Sequence, residues 1–335
     1  MNYKEMTALD LPWEKLKNKS VLVTGANGMI ASALVDCILQ CNESLGLGVT
    51  VYALCRNREK GEKRFAESLS NPAFRLMVQD VIDPLPEGIE FDYMIHAASS
   101  AYPGAMNNTP VDIMKANFLG TLNMLEYCRL HPQCRFLFVS SSEVYGENFE
   151  GIPIFTEDMP GTVHFSRFRA CYPESKRASE TLAQSFKKQY GTDVVVVRPA
   201  FIYGKDIIDT NTRADVYFLR QVLNHEDIVM YSEGSQIRSY CYVKDCISGM
   251  LFALLKGESG EVYNIGDMNN AVTLREYAEK LAQKGGVKVI VDLSTKPQNT
   301  VFLKTTQLVL DTQKLQGLGW KVQYDLDAGI DDMLA

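Results

Sequence analysis

The run Ser20-Val21-Leu22-Val23-Thr24 leads straight into Gly25-Ala26-Asn27-Gly28, and the chain then leaves through Met29 to Gln40 with the spacing of a helix. Strand, glycine turn and helix in immediate succession leave few folds open. Gly25 permits the tight turn. Gly28 lets the backbone approach a pyrophosphate, whose charge then lies at the helix N-terminus. Ala31 stands where a third glycine often allows close helix–strand packing. The bland alternative is a plain strand-to-helix connection. The strand before the turn and the helix after it favour a dinucleotide-binding turn.

The rest of the first two hundred residues keeps that rhythm. Apolar runs at Val49–Cys55, Phe74–Val78, Tyr93–Ala97, Phe136–Ser140 and Asp193–Arg198 read as strands. Asp112–Leu130 and Tyr172–Tyr190 read as helices. Nearly continuous apolar strands alternating with helices predict a parallel sheet covered on both faces, a Rossmann-like doubly wound α/β fold. After Pro199 the pattern changes. Residues 200–240 are loop-rich around a helix at Ala214–Leu223. Val243–Leu255 is helical, Glu261–Ile265 reads as a buried strand, and Thr273 as the N-cap of a helix to Lys284. A short lead-in helix is expected around Leu11–Leu16. The expected division is 15–199 plus about 241–267 for the dinucleotide, with about 200–240 plus 268–335 as a smaller, interleaved substrate lobe.

Composition narrows the partners. A net charge of −7 with no basic run argues against a general nucleic-acid binder. No stretch approaches the ~20 apolar residues of a membrane span. Met1–Ser20 has no apolar signal core, so a cytoplasmic setting is expected. None of the eight cysteines forms a C-x-x-C pair or sits with a histidine at zinc-ligand spacing. They read as buried reduced thiols, and no metal is expected.

The end of the second strand bears on the cofactor. An acid there would bind the ribose hydroxyls of NAD. This chain has Leu54-Cys55-Arg56-Asn57-Arg58. Arg56 can pair with a 2′-phosphate, which favours NADP, or stack on adenine; a solvated Arg with no role is the third reading. Asp80-Val81 follows the third strand, where the carboxylate suits an adenine amino group. Ala97, Ala98 and Ser99 follow the fourth, where small residues let a cofactor lie close.

The chemistry is expected between Ser140 and Lys176. Tyr172 and Lys176 are four apart, on one helix face. A phenol beside an ammonium has its anion stabilised, so it can exchange a proton nearer neutral pH. Alone, a Tyr and a Lys at this spacing equally describe an ordinary surface helix.

Taken together, TGANGMIA, DV at Asp80, HAAS at His96, NFLGT at Asn117, SSSEVYG at Ser140, YPESK at Tyr172, RPAFIYG at Arg198 and RSYCYVKD at Arg238 resemble the extended short-chain dehydrogenase/reductase family, the nucleotide-sugar epimerases and dehydratases. The likeness runs from about Lys19 to Trp320. It implies a Rossmann domain, a nucleotide-sugar lobe, a tightly held nicotinamide that is often recycled, and a homodimer built on the helices near 112–130 and 172–190. It implies catalytic roles for Ser141, which bonds the substrate hydroxyl; for Tyr172, the base; for Lys176, which lowers the Tyr pKa and holds the nicotinamide ribose; and for Glu143 and Asn117. A helix-surface Asn is the plainer reading of Asn117. Cofactor contacts are implied for Gly25, Asn27, Gly28, Met29, Ile30, Asp80, Val81, Ala97, Ala98, Ser99, Ser140, Tyr172, Lys176 and Pro199, beside Arg56. The resemblance implies NAD; Arg56 allows NADP. Substrate contacts are implied for Ser142, Glu143, Tyr145, Arg213 and Arg238, the last otherwise a surface loop Arg.

Within the family the segments around Tyr172, His96 and Arg238 look most like the UDP-glucuronate decarboxylases. The subclasses differ in chemistry. A 4,6-dehydratase must expel the carbon 6 hydroxyl and uses an Asp-Glu pair, whereas here Ser142 precedes Glu143. A decarboxylase needs oxidation at carbon 4 only, after which the β-keto acid loses carbon dioxide. The chain departs from the decarboxylase pattern at Phe201, where that pattern has a diphosphate-binding Asn, and at Arg56, where it has an Asp. A 4-epimerase, 4,6-dehydratase or 4-ketoreductase on another UDP-, CDP- or dTDP-sugar is the alternative. A non-catalytic dinucleotide sensor is the reading from another class.

Overall fold

The computed structural model describes residues 2–148, 151–205, 211–294 and 307–335. From the N-terminus the elements are β1 (Ser20–Thr24), α1 (Met29–Leu45), β2 (Thr50–Cys55), α2 (Arg58–Arg64), β3 (Phe74–Val78), β4 (Tyr93–His96), α3 (Pro103–Asn108), α4 (Pro110–Leu130), β5 (Arg135–Val139), α5 (Cys171–Tyr190) and β6 (Val194–Pro199). They continue with β7 (Phe201–Tyr203), α6 (Ala214–Leu223), β8 (Ile228–Met230), β9 (Ile237–Tyr242), α7 (Val243–Lys256), β10 (Val262–Ile265), β11 (Ala271–Thr273), α8 (Leu274–Gly285), β12 (Val289–Val291), β13 (Gln307–Leu308), α9 (Gln313–Gln316) and α10 (Leu326–Leu334).

Seven of the strands form one sheet in the order β10-β6-β5-β4-β1-β2-β3, and every pairing in it is parallel. The apolar runs explain this. Val194 to Val197 are fully buried, as a strand covered on both faces must be. Strand order reverses at β1, with β2 and β3 on one side and β4 on the other. The crevice beyond the carboxyl ends of β1 and β4 is therefore the switch point, where such sheets take ligands. Thr24 and His96 end these strands in register. Thr24 Oγ1 lies 2.7 Å from His96 Nδ1 and also accepts a hydrogen bond from Ala98 N. Burial, together with the nearby Lys176 charge, lowers the His96 pKa to about 3, so this histidine is a neutral brace.

The rest of the chain is built around β9. Strand β7 pairs parallel to it, β11 antiparallel and β13 parallel, while β8 and β12 form a separate parallel pair. Tyr240 and Tyr277 stack at 4.4 Å in the core of this part, with Tyr203 packed edge-on to both. Thr273 caps α8 in a capping box with Glu276.

Some boundaries differ from the sequence expectation. The lead-in is two 3₁₀ turns, Lys4–Ala8 and Trp13–Leu16. Helix α1 runs on to Leu45, where Gly46 closes it in the left-handed region. Helix α4 starts earlier, at Pro110, because proline suits a first helical turn. Strands β7, β8, β9, β11, β12 and β13 were not expected.

Candidate active site

A cleft of about 630 Å³ opens along the carboxyl edge of the sheet. At one end lies the glycine turn. Gly25 has φ +65°, and a Cβ there would sit 2.6 Å from Ala98 Cα, so the turn and the β4 end can meet only with glycine at 25. Gly28 caps α1, whose first turn carries no acidic residue. The positive end of a long helix thus faces the cleft unopposed, and these residues fit a pyrophosphate. Asn27, Met29 and Ile30 line the same end, with Arg56, Asp80 and Val81 along one wall and Ala97, Ala98, Ser99, Ser140 and Pro199 along the floor.

Ser141, Ser142, Glu143, Tyr172 and Lys176 line the middle. Ser141 caps the 3₁₀ turn Ser142–Tyr145, its Oγ accepting from Glu143 N at 3.1 Å. Helix α5 carries Tyr172 and Lys176. Lys176 donates to the carbonyl oxygen of Val139 at 2.7 Å, and its Nζ lies 4.8 Å from the Phe138 ring centre and 5.9 Å from that of Tyr172. Burial lowers its pKa to about 7, with Glu180 pulling the other way.

The expected lowering of the Tyr172 pKa is not what this arrangement gives. Burial first, then the Glu143 carboxylate, push the phenol upward; Ser141, Arg169 and Arg213 oppose them. Four-residue spacing places the ammonium on the right face, but a buried amine near its own pKa, aimed at a carbonyl, contributes little positive charge.

Three guanidiniums line the far end. Arg213 pairs with Asp215 through Nε at 3.0 Å and Nη2 at 2.9 Å. Arg238 lies over the Phe201 ring at 4.7 Å. Arg169, to which sequence reading gave no role, holds Glu143 through Nη2 at 3.1 and 3.0 Å. Its Nε and Nη1 are buried with no partner. The available signal was its place three residues before Tyr172, at the start of the same helical stretch. Asn57, Lys60 and Gln79, also unassigned from sequence, line the wall near Arg56.

The structure does not bring two expected residues to the cleft. Tyr145 is turned into the core, where its hydroxyl donates to Asn264 Oδ1 at 2.8 Å and accepts from Arg198 Nη1 at 2.9 Å. The tight 3₁₀ turn directs it away from Ser142 and Glu143, so a substrate contact for Tyr145 is corrected to a buried structural role. Asn117 lies behind the cleft on α4. Its side-chain amide donates to Ser175 Oγ at 2.8 Å, and its backbone carbonyl accepts from Ser179 Oγ at 2.9 Å, tying α4 to the helix that carries Tyr172. Among the described residues no group of three or more His, Cys, Asp or Glu is placed to hold a metal. All eight cysteines are free and buried.

The profile of the NAD dependent epimerase/dehydratase family matches residues 21–266. UDP-glucuronic acid decarboxylase 6 of Arabidopsis thaliana is 33% identical over 266 residues, covering 79% of this chain and 74% of the relative. UDP-glucuronic acid decarboxylase 1 of Danio rerio is 31% identical over 316 residues, covering 91% and 72%. Among solved structures, the UDP-glucose 4-epimerase of Thermotoga maritima with UDP-glucose superposes with a TM-score of 0.79 at 23% identity, covering 94% of this chain and 97% of that one. The dTDP-glucose 4,6-dehydratase of Bacillus anthracis, in complex with NAD, gives 0.78 at 21% identity, covering 94% and 95%. At these identities the structural likeness is one of fold.

Proposed function

The chain belongs to the NAD dependent epimerase/dehydratase family, and from that premise we propose that it oxidises the sugar of a nucleotide sugar at carbon 4, most nearly as a UDP-glucuronate decarboxylase does. The observation that carries this reading is the convergence of Ser141, Tyr172 and Lys176 on the cleft that the Gly25–Gly28 turn opens. When bound, the oxidised dinucleotide supplies a hydride acceptor and a positive charge. Tyr172 takes the proton of the carbon 4 hydroxyl, and Ser141 holds that oxygen. Without the dinucleotide the phenol is held protonated; the positive charge of the bound dinucleotide would favour the phenolate that acts as base, and the phenol so formed can return its proton to a ketone. The Arg169–Glu143 pair sets the charge beside the reacting carbon, with Ser142 adjoining it. A hydroxyl at 142 is a poor acid for expelling a leaving hydroxyl, which favours decarboxylation over dehydration. Arg213 and Arg238 are the cations for the diphosphate or carboxylate of the substrate.

Domain roles follow the topology: 15–199 and about 241–267 for the dinucleotide, about 200–240 and 268–335 for the nucleotide sugar. In support, every strand of the seven-stranded sheet comes from the first set. A homodimer through α4 and α5 is supported by Val111, Met114, Phe118 and Leu119, which α4 leaves exposed. A cytoplasmic setting is supported by the eight free thiols. Mass analysis of the products from a panel of nucleotide sugars tests the activity. Loss of carbon dioxide from UDP-glucuronate is expected. Inertness toward it, with loss of water from a dTDP- or CDP-hexose, would transfer the assignment to a dehydratase.

A further inference from the structure

The cleft has a third region that the sugar chemistry does not use. It lies at the carboxyl end of β2, where a doubly wound fold places the adenosine ribose. A chain that selects NAD has a carboxylate here to accept the ribose 2′-hydroxyl. Strand β2 ends at Cys55, and the residues that follow into the cleft wall are Arg56, Asn57 and Lys60. Asn57 is the N-cap of α2, with Oδ1 accepting from Lys60 N at 2.9 Å. Lys60, in the first turn of α2, lines the same wall of the cleft as Arg56.

Among the described residues, the carboxylate lining this end of the cleft is that of Asp80, after β3. Its Oδ1 accepts from Ile82 N at 3.2 Å, which holds it in its own turn. Arg56 Nη1 lies 3.8 Å from its Oδ2, with the Arg56 side chain 73% exposed. A contact that long and that wet is worth about 0–1 kcal/mol. Arg56 can therefore turn to another anion at little cost.

Resting on the dinucleotide reading above, we propose that this rim is a 2′-phosphate site: Arg56 clamps the phosphate, Lys60 adds a second charge, and the chain selects NADP(H) over NAD(H). Guanidinium is suited to this because its fork can pair with two phosphate oxygens at once.

Calorimetric titration of the purified full-length protein with adenosine 2′,5′-bisphosphate and with adenosine 5′-monophosphate tests this without any turnover. The bisphosphate should bind at least about tenfold tighter, as expected for charge-assisted phosphate contacts. Arg56→Ala and Lys60→Ala should each weaken the bisphosphate severalfold to about tenfold and leave the monophosphate unchanged. NADPH and NADH, followed by nicotinamide fluorescence, should rank the same way, and Arg56→Asp should reverse the order. Equal or tighter binding of the monophosphate would overturn the proposal, as would variants that weaken both nucleotides alike. If neither nucleotide binds, the dinucleotide reading falls and this proposal with it. The product assay on nucleotide sugars is independent of all these outcomes.

Discussion

Glu180 is the residue whose replacement most sharply tests how the catalytic helix is held. It lies on α5, one turn beyond Lys176, with its side chain 11% exposed. Arg198 reaches it from β6 through Nε to Oε1 at 3.0 Å and Nη2 to Oε2 at 2.7 Å, and Ser140 Oγ also donates to Oε1. The remaining Arg198 nitrogen bonds Tyr145 and the carbonyl of Glu157. Glu180→Gln keeps the volume, removes the charge and turns an N–H group toward donors. It strands a guanidinium that is itself only 12% exposed. Breaking a buried pair from one side costs about 3–5 kcal/mol. At a urea m-value of about 3 kcal/mol/M or somewhat more, that moves the unfolding midpoint down by on the order of 1 M. A second readout separates this site from any other buried pair. Burial lowers the Lys176 pKa to about 7 and Glu180 opposes it, so the variant should lower that pKa further and shift the pH profile of activity toward acid. A midpoint loss worth less than about 1 kcal/mol, with an unmoved pH profile, would show that Glu180 does not hold α5 through Arg198.

Tyr172→Phe should lower oxidation by about 10²–10⁴-fold, the usual scale for a positioned acid–base group, while the urea midpoint stays close to wild type. Retained turnover would reject the base. Gly25→Ala forces a side chain into the left-handed region at 2.6 Å from Ala98 Cα. It should cost about 2–4 kcal/mol in conformational strain and overpacking and abolish dinucleotide binding by calorimetry. Lys176 has a native pKa of about 7, below its ordinary value of 10.5. Between those values the unfolded chain carries the proton and the native one does not, so stability should rise with pH from about 7 upward. Lys176→Met should flatten that rise between pH 7 and 8.5, measured as urea midpoints; an identical slope would show that Lys176 is not the titrating group.

Much of the fold was legible because its strands are apolar on both faces. Val194–Val197 and Leu22–Val23 announce themselves without their neighbours. Strands β7 to β9 and β11 to β13 do not, since they are two to six residues long and pair across long separations, as Gln307 does with Ile237. The cleft residues were legible where a backbone motif fixes them: the glycine turn, the β4 end and the first turns of α5. Tyr145 was not, because its partner Asn264 is supplied by β10. The charge state of Lys176 was not legible either. Spacing gives the helix face, but burial sets the pKa, against the opposing charge of Glu180. Arg169 stood in plain view, yet only its bonds to Glu143 give it a place in the site.

Oxidation at carbon 4 is tested most directly by the mass of the product formed from UDP-glucuronate by the wild-type protein with its dinucleotide. Loss of carbon dioxide is expected, giving UDP-xylose or its 4-keto precursor, and no such loss with Tyr172→Phe. Unchanged UDP-glucuronate from an enzyme that turns over another nucleotide sugar would contradict the decarboxylase assignment. Turnover of none, despite bound dinucleotide, would contradict oxidation at carbon 4 itself.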